Sequence, residues 1–310
     1  MALGILFAFL SAASFGMNSA GIRRGMSQGA ASQGLYITIF TGLAGFLLLA
    51  LATRQLFQAG TVTSTEYGFM FAGGIVHILI GRYFNYRAIG AMGANRASPV
   101  TGTATLASVF IAVAFLNETI TPLMGVGIGL VMIGPALVAR RSRRPASAPA
   151  PTPSPSGGRT DAEPAHRPFQ PRLLEGYFFG VMAALFWGLG PVLMRAGVSE
   201  NGLGVLGGLV SYAAAALVLA ATLLLPGQFS GARALSGNTR WWFLLGGTSS
   251  FLANAFRYSA LALAPVSVAI PLMRLSALFA LGFNFLINRH LESFEPRVIV
   301  GILVSLAGAV

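Results

Sequence analysis

The sequence predicts an all-α polytopic membrane protein, with ten transmembrane helices forming two inverted-topology five-helix repeats. Three observations carry that fold class. Of 310 residues, 55% are hydrophobic and only 9% are charged, whereas a soluble domain carries about 25% charged residues. The charged residues gather between apolar runs long enough to span a bilayer. The second half of the chain echoes the first, and an odd number of spans in each copy sets the two copies in opposite orientations.

A spanning helix needs about 20 mostly apolar residues. Such runs lie near 2–21, 32–53, 67–90, 94–116 and 119–139, and again near 174–197, 203–226, 241–263, 266–288 and 297–310. The last is short for a hydrocarbon core of about 30 Å, so a few further residues are expected beyond it. The first run lacks a basic start, so it is read as the first helix of the first repeat and not as a cleavable signal. Between the two sets lies a Pro-, Ala-, Ser- and Arg-rich stretch that cannot bury a core and reads as a linker. The expected domains are 1–140, a linker at 141–173, and 174–310.

The repeat rests on particular residues. Gly4, Ala12, Phe15, Gly16, Arg23 and Gly25 recur in register as Gly176, Ala184, Trp187, Gly188, Arg195 and Gly197. After a two-residue insertion, Glu118, Pro122, Gly127 and Gly134 recur as Glu292, Pro296, Gly301 and Gly308. Matches at Ala and Gly arise easily in such a composition. Matches of Arg, Glu and Pro at corresponding helix ends do not.

The most unusual stretch runs from His77 to Pro99, HILIGRYFNYRAIGAMGANRASP, and its copy runs from Ser249 to Pro271. Tyr86 falls on Tyr258, Arg82 on Asn254, Asn85 on Arg257, and Pro99 on Pro271. Each copy holds one Arg, one Asn and one Tyr at helical spacings of three and four, so they share one helix face. That face is expected to line a polar cavity between the two halves, with Pro99 and Pro271 as helix-breaking positions.

The segment SFGMNSAGIRRG and its copy LFWGLGPVLMRAG resemble the first-helix signature of EamA-type permeases of the drug/metabolite transporter superfamily. The pattern from Ala88 to Pro99, and the Asn117–Glu118 and Leu291–Glu292 pairs before the fifth helix of each half, are similar to that family too. The resemblance covers the whole chain except the linker. It implies ten helices, a central cavity between two five-helix halves, alternating access, and a place among exporters of amino acids and other metabolites in a bacterial inner membrane.

An ionisable group at mid-membrane costs at least about 2.5–3.5 kcal/mol on insertion scales, which marks it as a functional candidate. Arg82, Arg257, Arg274 and His77 meet that criterion. Arg82 lies roughly 12 Å from its helix end at 1.5 Å per residue. A guanidinium clamps a carboxylate through two parallel hydrogen bonds, so these arginines point to a carboxylate-bearing substrate. The competing structural readings are snorkelling to the interface and hydrogen bonding to carbonyls freed by proline. His77 reads either as a proton-coupling group or as a neutral core histidine. Tyr83, Phe84, Tyr86, Tyr258 and Trp187 supply an aromatic wall, and Asn85 and Asn254 share the arginine face. Asn18 serves a substrate or a neighbouring helix. Arg87 and Arg96, nearer a helix end, read as topology signals.

Several chemistries are excluded. The sequence has no cysteine, which removes disulfides, Cys-ligated zinc and thiol catalysis. It has 20 arginines and no lysine, so no P-loop can form. Its eight acidic residues, Glu66, Glu118, Asp161, Glu163, Glu175, Glu200, Glu292 and Glu295, all fall at helix ends or in loops. No membrane-embedded carboxylate is therefore expected to exchange a proton for a cationic drug, although cationic or lipophilic drug efflux remains the rival transport reading. An intramembrane enzyme would need clustered catalytic groups, and only His77 offers itself; a scaffold would leave the duplicated polar face unexplained. No cofactor or metal is expected. The expected partners are the lipid bilayer and a small-molecule substrate, with no nucleic acid, and the expected state is a monomer.

Counting arginines near the spans places Arg54 and Arg195 on one side of the membrane. Arg23, Arg24, Arg87, Arg96, Arg140, Arg141, Arg143, Arg144, Arg233, Arg240, Arg289 and Arg297 fall on the other. The positive-inside rule then puts the linker in the cytoplasm and both termini outside. The family resemblance implies cytoplasmic termini, so the two expectations differ.

Overall fold

The computed structural model describes residues 2–104, 107, 126, 130, 133, 170–198, 202–222, 236–263, 272–273 and 275–309. These form α1 (Ala2–Gly25), α2 (Ala31–Ala52), a 3-10 turn (Gln55–Thr61), α3 (Ser64–Gly73), a π-helical segment (Gly74–Gly81), α4 (Arg82–Met92) and α5 (Ala94–Gly102). Then follow α6 (Leu173–Val198), α7 (Gly204–Thr222), α8 (Gly237–Leu263), α9 (Ser276–Ile287) and α10 (Pro296–Ala309). Among the described residues there is no strand. The π segment was not expected from the sequence; it joins α3 to α4 in one continuous helix from Ser64 to Met92.

Five described helices are long and apolar enough to cross a membrane: Ala2–Gly25, Ala31–Ala52, Ser64–Met92, Leu173–Val198 and Gly204–Thr222. The chain is a polytopic helical membrane protein. The 27-residue α8 matches them in length, but its polar residues, Asn254 and Arg257 among them, dilute its hydropathy. The surface is what a lipid solvent demands, with Leu48 68%, Leu217 65% and Leu286 77% exposed.

The interior is built from small residues. On α1, Ala8, Ala12, Gly16 and Ala20 are buried, and α1 packs along α8 and α9. Small side chains let such backbones approach closely, and polar groups then bond across the crossing. Ser11 Oγ donates to the Ala253 carbonyl at 2.8 Å, and Asn18 Nδ2 donates to the Gly246 carbonyl at 2.7 Å. Elsewhere α2 lies against α7 and α8, and α3 and α4 lie against α6. Helices from the first half therefore pack mainly on helices from the second.

Two expectations change here. The break between α4 and α5 lies at Gly93, whose φ of +89° is open to glycine and strained for other residues. Pro99 sits inside α5 instead of ending it. The reason is that Glu292 caps the new helix: its carboxylate accepts from the Ala94 amide at 2.6 Å and the Asn95 amide at 2.9 Å. Pro271 lies outside the described residues.

Arg23, counted from the sequence among the arginines flanking the spans, is buried. It is 1% exposed, with Nε 2.7 Å from Glu292 Oε1. Its other nitrogens donate to the carbonyls of Ile89 and Leu291. A chain of buried amides continues the network: Asn95 Nδ2 donates to the Ser293 carbonyl, Asn284 Nδ2 to Asn95 Oδ1, and Asn288 Nδ2 to Asn284 Oδ1. Burial raises the pKa of the Glu292 carboxyl, while Arg23 and the two capped amides oppose that rise. Arg87 and Arg96 are likewise paired, with Glu175 at 3.1 Å and Glu295 at 3.4 Å.

Candidate functional site

The polar cluster forms where the π segment hands over to α4. A π turn interrupts regular i→i−4 bonding and recurs at functional sites. Here it carries His77 and delivers Arg82 as the first residue of α4. Arg82 is only 7% exposed. Its Nη2 donates to Tyr212 Oη on α7 at 2.7 Å, and its guanidinium carbon lies 5.2 Å from the centre of the Tyr212 ring. Its Nη1 is buried and has no partner among the described residues.

One turn further, Tyr86 is 1% exposed; its hydroxyl donates to Thr38 Oγ1 on α2 at 3.1 Å and also meets Asn18. His77 faces α6, where Trp187 Nε1 donates to the His77 carbonyl at 3.2 Å and the two ring centres are 6.0 Å apart. His77 Nδ1 is buried and has no partner among the described residues. His77 lies within electrostatic reach of both Arg82 and Arg257. Tyr258 interacts with Arg257 and Tyr212, and Phe46 packs against Tyr212 and Tyr258 at ring separations of 5.2 and 6.2 Å.

Two glycines make the cluster possible. A β-carbon on Gly42 would run into the Tyr212 ring, and one on Gly190 would run into the His77 imidazole. The structure therefore gathers Arg82, Tyr86, His77, Trp187, Arg257 and Tyr258 from α4, the π segment, α6 and α8. Asn18 is at the rim, where its bond to Gly246 ties α1 to α8. Asn85 is buried on α4. Asn254 bonds back to the Ser250 carbonyl of its own helix at 2.8 Å. Arg274 lies outside the described residues.

Two members escaped sequence reasoning, Tyr212 and Thr38. Tyr212 follows Ser211 in a helix otherwise made of Ala, Leu, Val and Gly until its end; that polar interruption was the available signal. Thr38 sits among apolar residues with no pattern to single it out. The expectation for carboxylates needs one amendment. Glu66 and Glu292 do lie at helix ends, but both are buried, and both are committed, Glu66 to the Thr63 amide and hydroxyl that cap α3 and Glu292 to Arg23.

The family profile of the EamA-like transporter family matches residues 2–140 and, a second time, residues 174–310. The chain belongs to that family. Membership marks this EamA chain as a transporter of the drug/metabolite type. Solved structures also match. One, described only as a crystal structure of a protein, aligns with a TM-score of 0.59 at 16% identity, covering 99% of this chain and 94% of its own. That likeness concerns the fold. No curated protein matches the sequence.

Proposed function

We propose that this chain is a secondary transporter of small carboxylate-bearing metabolites, exporting them across a bacterial inner membrane. It works by alternating access, its two five-helix halves in inverted orientation rocking around the Arg82 cluster. Arg82 and His77 receive the carboxylate, Tyr212 and Tyr86 orient Arg82, and the half-buried Trp187 and Tyr258 rings contact the rest of the molecule.

One observation carries this reading. Arg82 Nη1 and His77 Nδ1 are buried polar atoms, close to each other in the electrostatic sense, and neither has a partner among the described residues. An unsatisfied buried polar group costs about 1–3 kcal/mol, more when charged. A carboxylate would accept from both and remove that cost. The membrane arginine is then retained because the ligand, not the resting protein, completes its bonding.

The test is thermal stabilisation of the purified protein by a panel of carboxylates, cations and neutral compounds, since a ligand that binds only the folded state raises stability by mass action. Carboxylates should raise the melting temperature, and Arg82→Ala should abolish the rise. If only cationic or lipophilic compounds stabilise, the arginines are structural and drug efflux takes its place.

A further inference from the structure

We propose that the preferred cargo is an organic acid without an ammonium group, a monocarboxylate with an apolar or aromatic tail, and not a zwitterionic amino acid. This narrows the carboxylate reading above and rests on it.

The argument concerns what would receive the second charge. An ammonium brought into a low-dielectric site needs a counter-charge or a full set of acceptors for its three protons. The sequence holds eight acidic residues, and none lies deeper in a spanning run than its first turn. Those in the described structure are occupied elsewhere: Glu66 at the cap of α3, Glu175 with Arg87 and Arg172, Glu292 with Arg23, and Glu295 with Arg96. The groups acting on Arg82 and His77 are instead Tyr212, Tyr86 and a second guanidinium, Arg257. Among the described residues the cluster carries guanidinium charge and no carboxylate to balance a further positive charge.

The neutral acceptors nearby are a few phenol and hydroxyl oxygens, already partly engaged. Tyr212 Oη accepts from Arg82, the Tyr86 hydroxyl points at Thr38, and the Thr38 hydroxyl donates to the Leu35 carbonyl. The amide oxygens of Asn85 and Asn254 offer partial charges only. Aromatic faces attract cations, but Arg82 already covers the Tyr212 ring. What the half-buried Trp187 and Tyr258 offer beside the guanidinium is ring surface suited to an apolar tail. Discrimination against the amino acid then arises from repulsion as much as from attraction toward the acid. Like charges brought together in an interface cost enough to separate the two ligands by about tenfold or more.

The experiment uses matched pairs on the full chain in detergent, read as ligand-dependent melting curves. The pairs are 3-phenylpropionate with phenylalanine and 4-methylpentanoate with leucine, and 2-phenylethylamine serves as the ammonium-only probe. The expected result is at least tenfold tighter apparent binding of each acid than of its amino acid, no response to the amine, and loss of the acid response in Arg82→Gln. Equal binding of acid and amino acid, both dependent on Arg82, overturns this narrowing and leaves the carboxylate reading standing. No response to any carboxylate sinks the carboxylate reading itself, and a response to the amine alone sinks both. Arg257→Gln gives an independent check, because it keeps Arg82 while removing one repelling charge. It should raise amino-acid affinity relative to the acid; an unchanged ratio removes the electrostatic basis of the proposal.

Discussion

Arg23 and Glu292 form a buried ion pair, 2.7 Å between Nε and Oε1 with side chains 2% and 1% exposed, and the same carboxylate caps α5. One residue closes the first helix of the chain and the other sits in the loop before α10. The pair thus fastens the two halves together at one end of the bundle.

Removing one partner leaves the other charge buried without compensation, which costs about 3–5 kcal/mol. Glu292→Ala and Arg23→Ala should each lower the melting temperature of the purified protein substantially. The double variant Arg23→Met, Glu292→Met should recover part of the loss, and with the two single methionine variants it closes a double-mutant cycle that should give strong coupling. Additive losses would show that the pair contributes as two separate residues.

Gly93 serves the same joint. Alanine there would adopt a φ of +89° and bring its β-carbon to about 2.9 Å from Glu292 Oε1. Backbone strain of that kind costs about 1–3 kcal/mol before the clash is counted. Gly93→Ala should therefore destabilise more than Pro99→Ala, a comparison that thermal melts of the two variants decide.

Tyr212→Phe keeps the ring beneath Arg82 and deletes the hydroxyl that accepts its Nη2 proton. Leaving that guanidinium nitrogen without an acceptor should cost about 1–3 kcal/mol of stability. The empty resting protein should lose more than the carboxylate-bound protein, because the ligand can take over the lost bond. Ligand-induced stabilisation should thus grow in the variant; a shrinking response would mean that Tyr212 holds Arg82 in position instead.

Gly190→Val should displace the His77 ring, since even a β-carbon at that position meets the imidazole. The expected outcome is a protein that still inserts and folds but whose response to carboxylates falls at least severalfold. Gly282→Ala is the control, because a β-carbon there meets nothing.

Much of this was legible in the sequence because lipid makes polarity conspicuous. Arg82, His77 and Tyr86 stand out in an apolar run, and His77 faces Trp187 and lies within electrostatic reach of Arg82 and Arg257. What escaped were features that composition does not write. Tyr212 and Thr38 are ordinary residues in apolar helices, and only the glycine gap at Gly42 brings the Tyr212 ring inward. Arg23 and Glu292 were visible as matched positions of a repeat, but their pairing joins distant parts of the chain. Pro99 misleads because proline reads as the breaker, whereas the break falls at Gly93 and Glu292 caps the helix that follows.

The π segment has a consequence beyond delivering Arg82. Its wide turn is a stored slack in the winding of the helix from Ser64 to Met92. Tightening it by one residue into α winding would twist everything after it by about 100° and shift it by about 1.5 Å. Arg82 and Tyr86 would then swing away from Tyr212 and Thr38 together. Rewinding would thus take both grips off their partners in one step and carry the Met92 end of the helix with them.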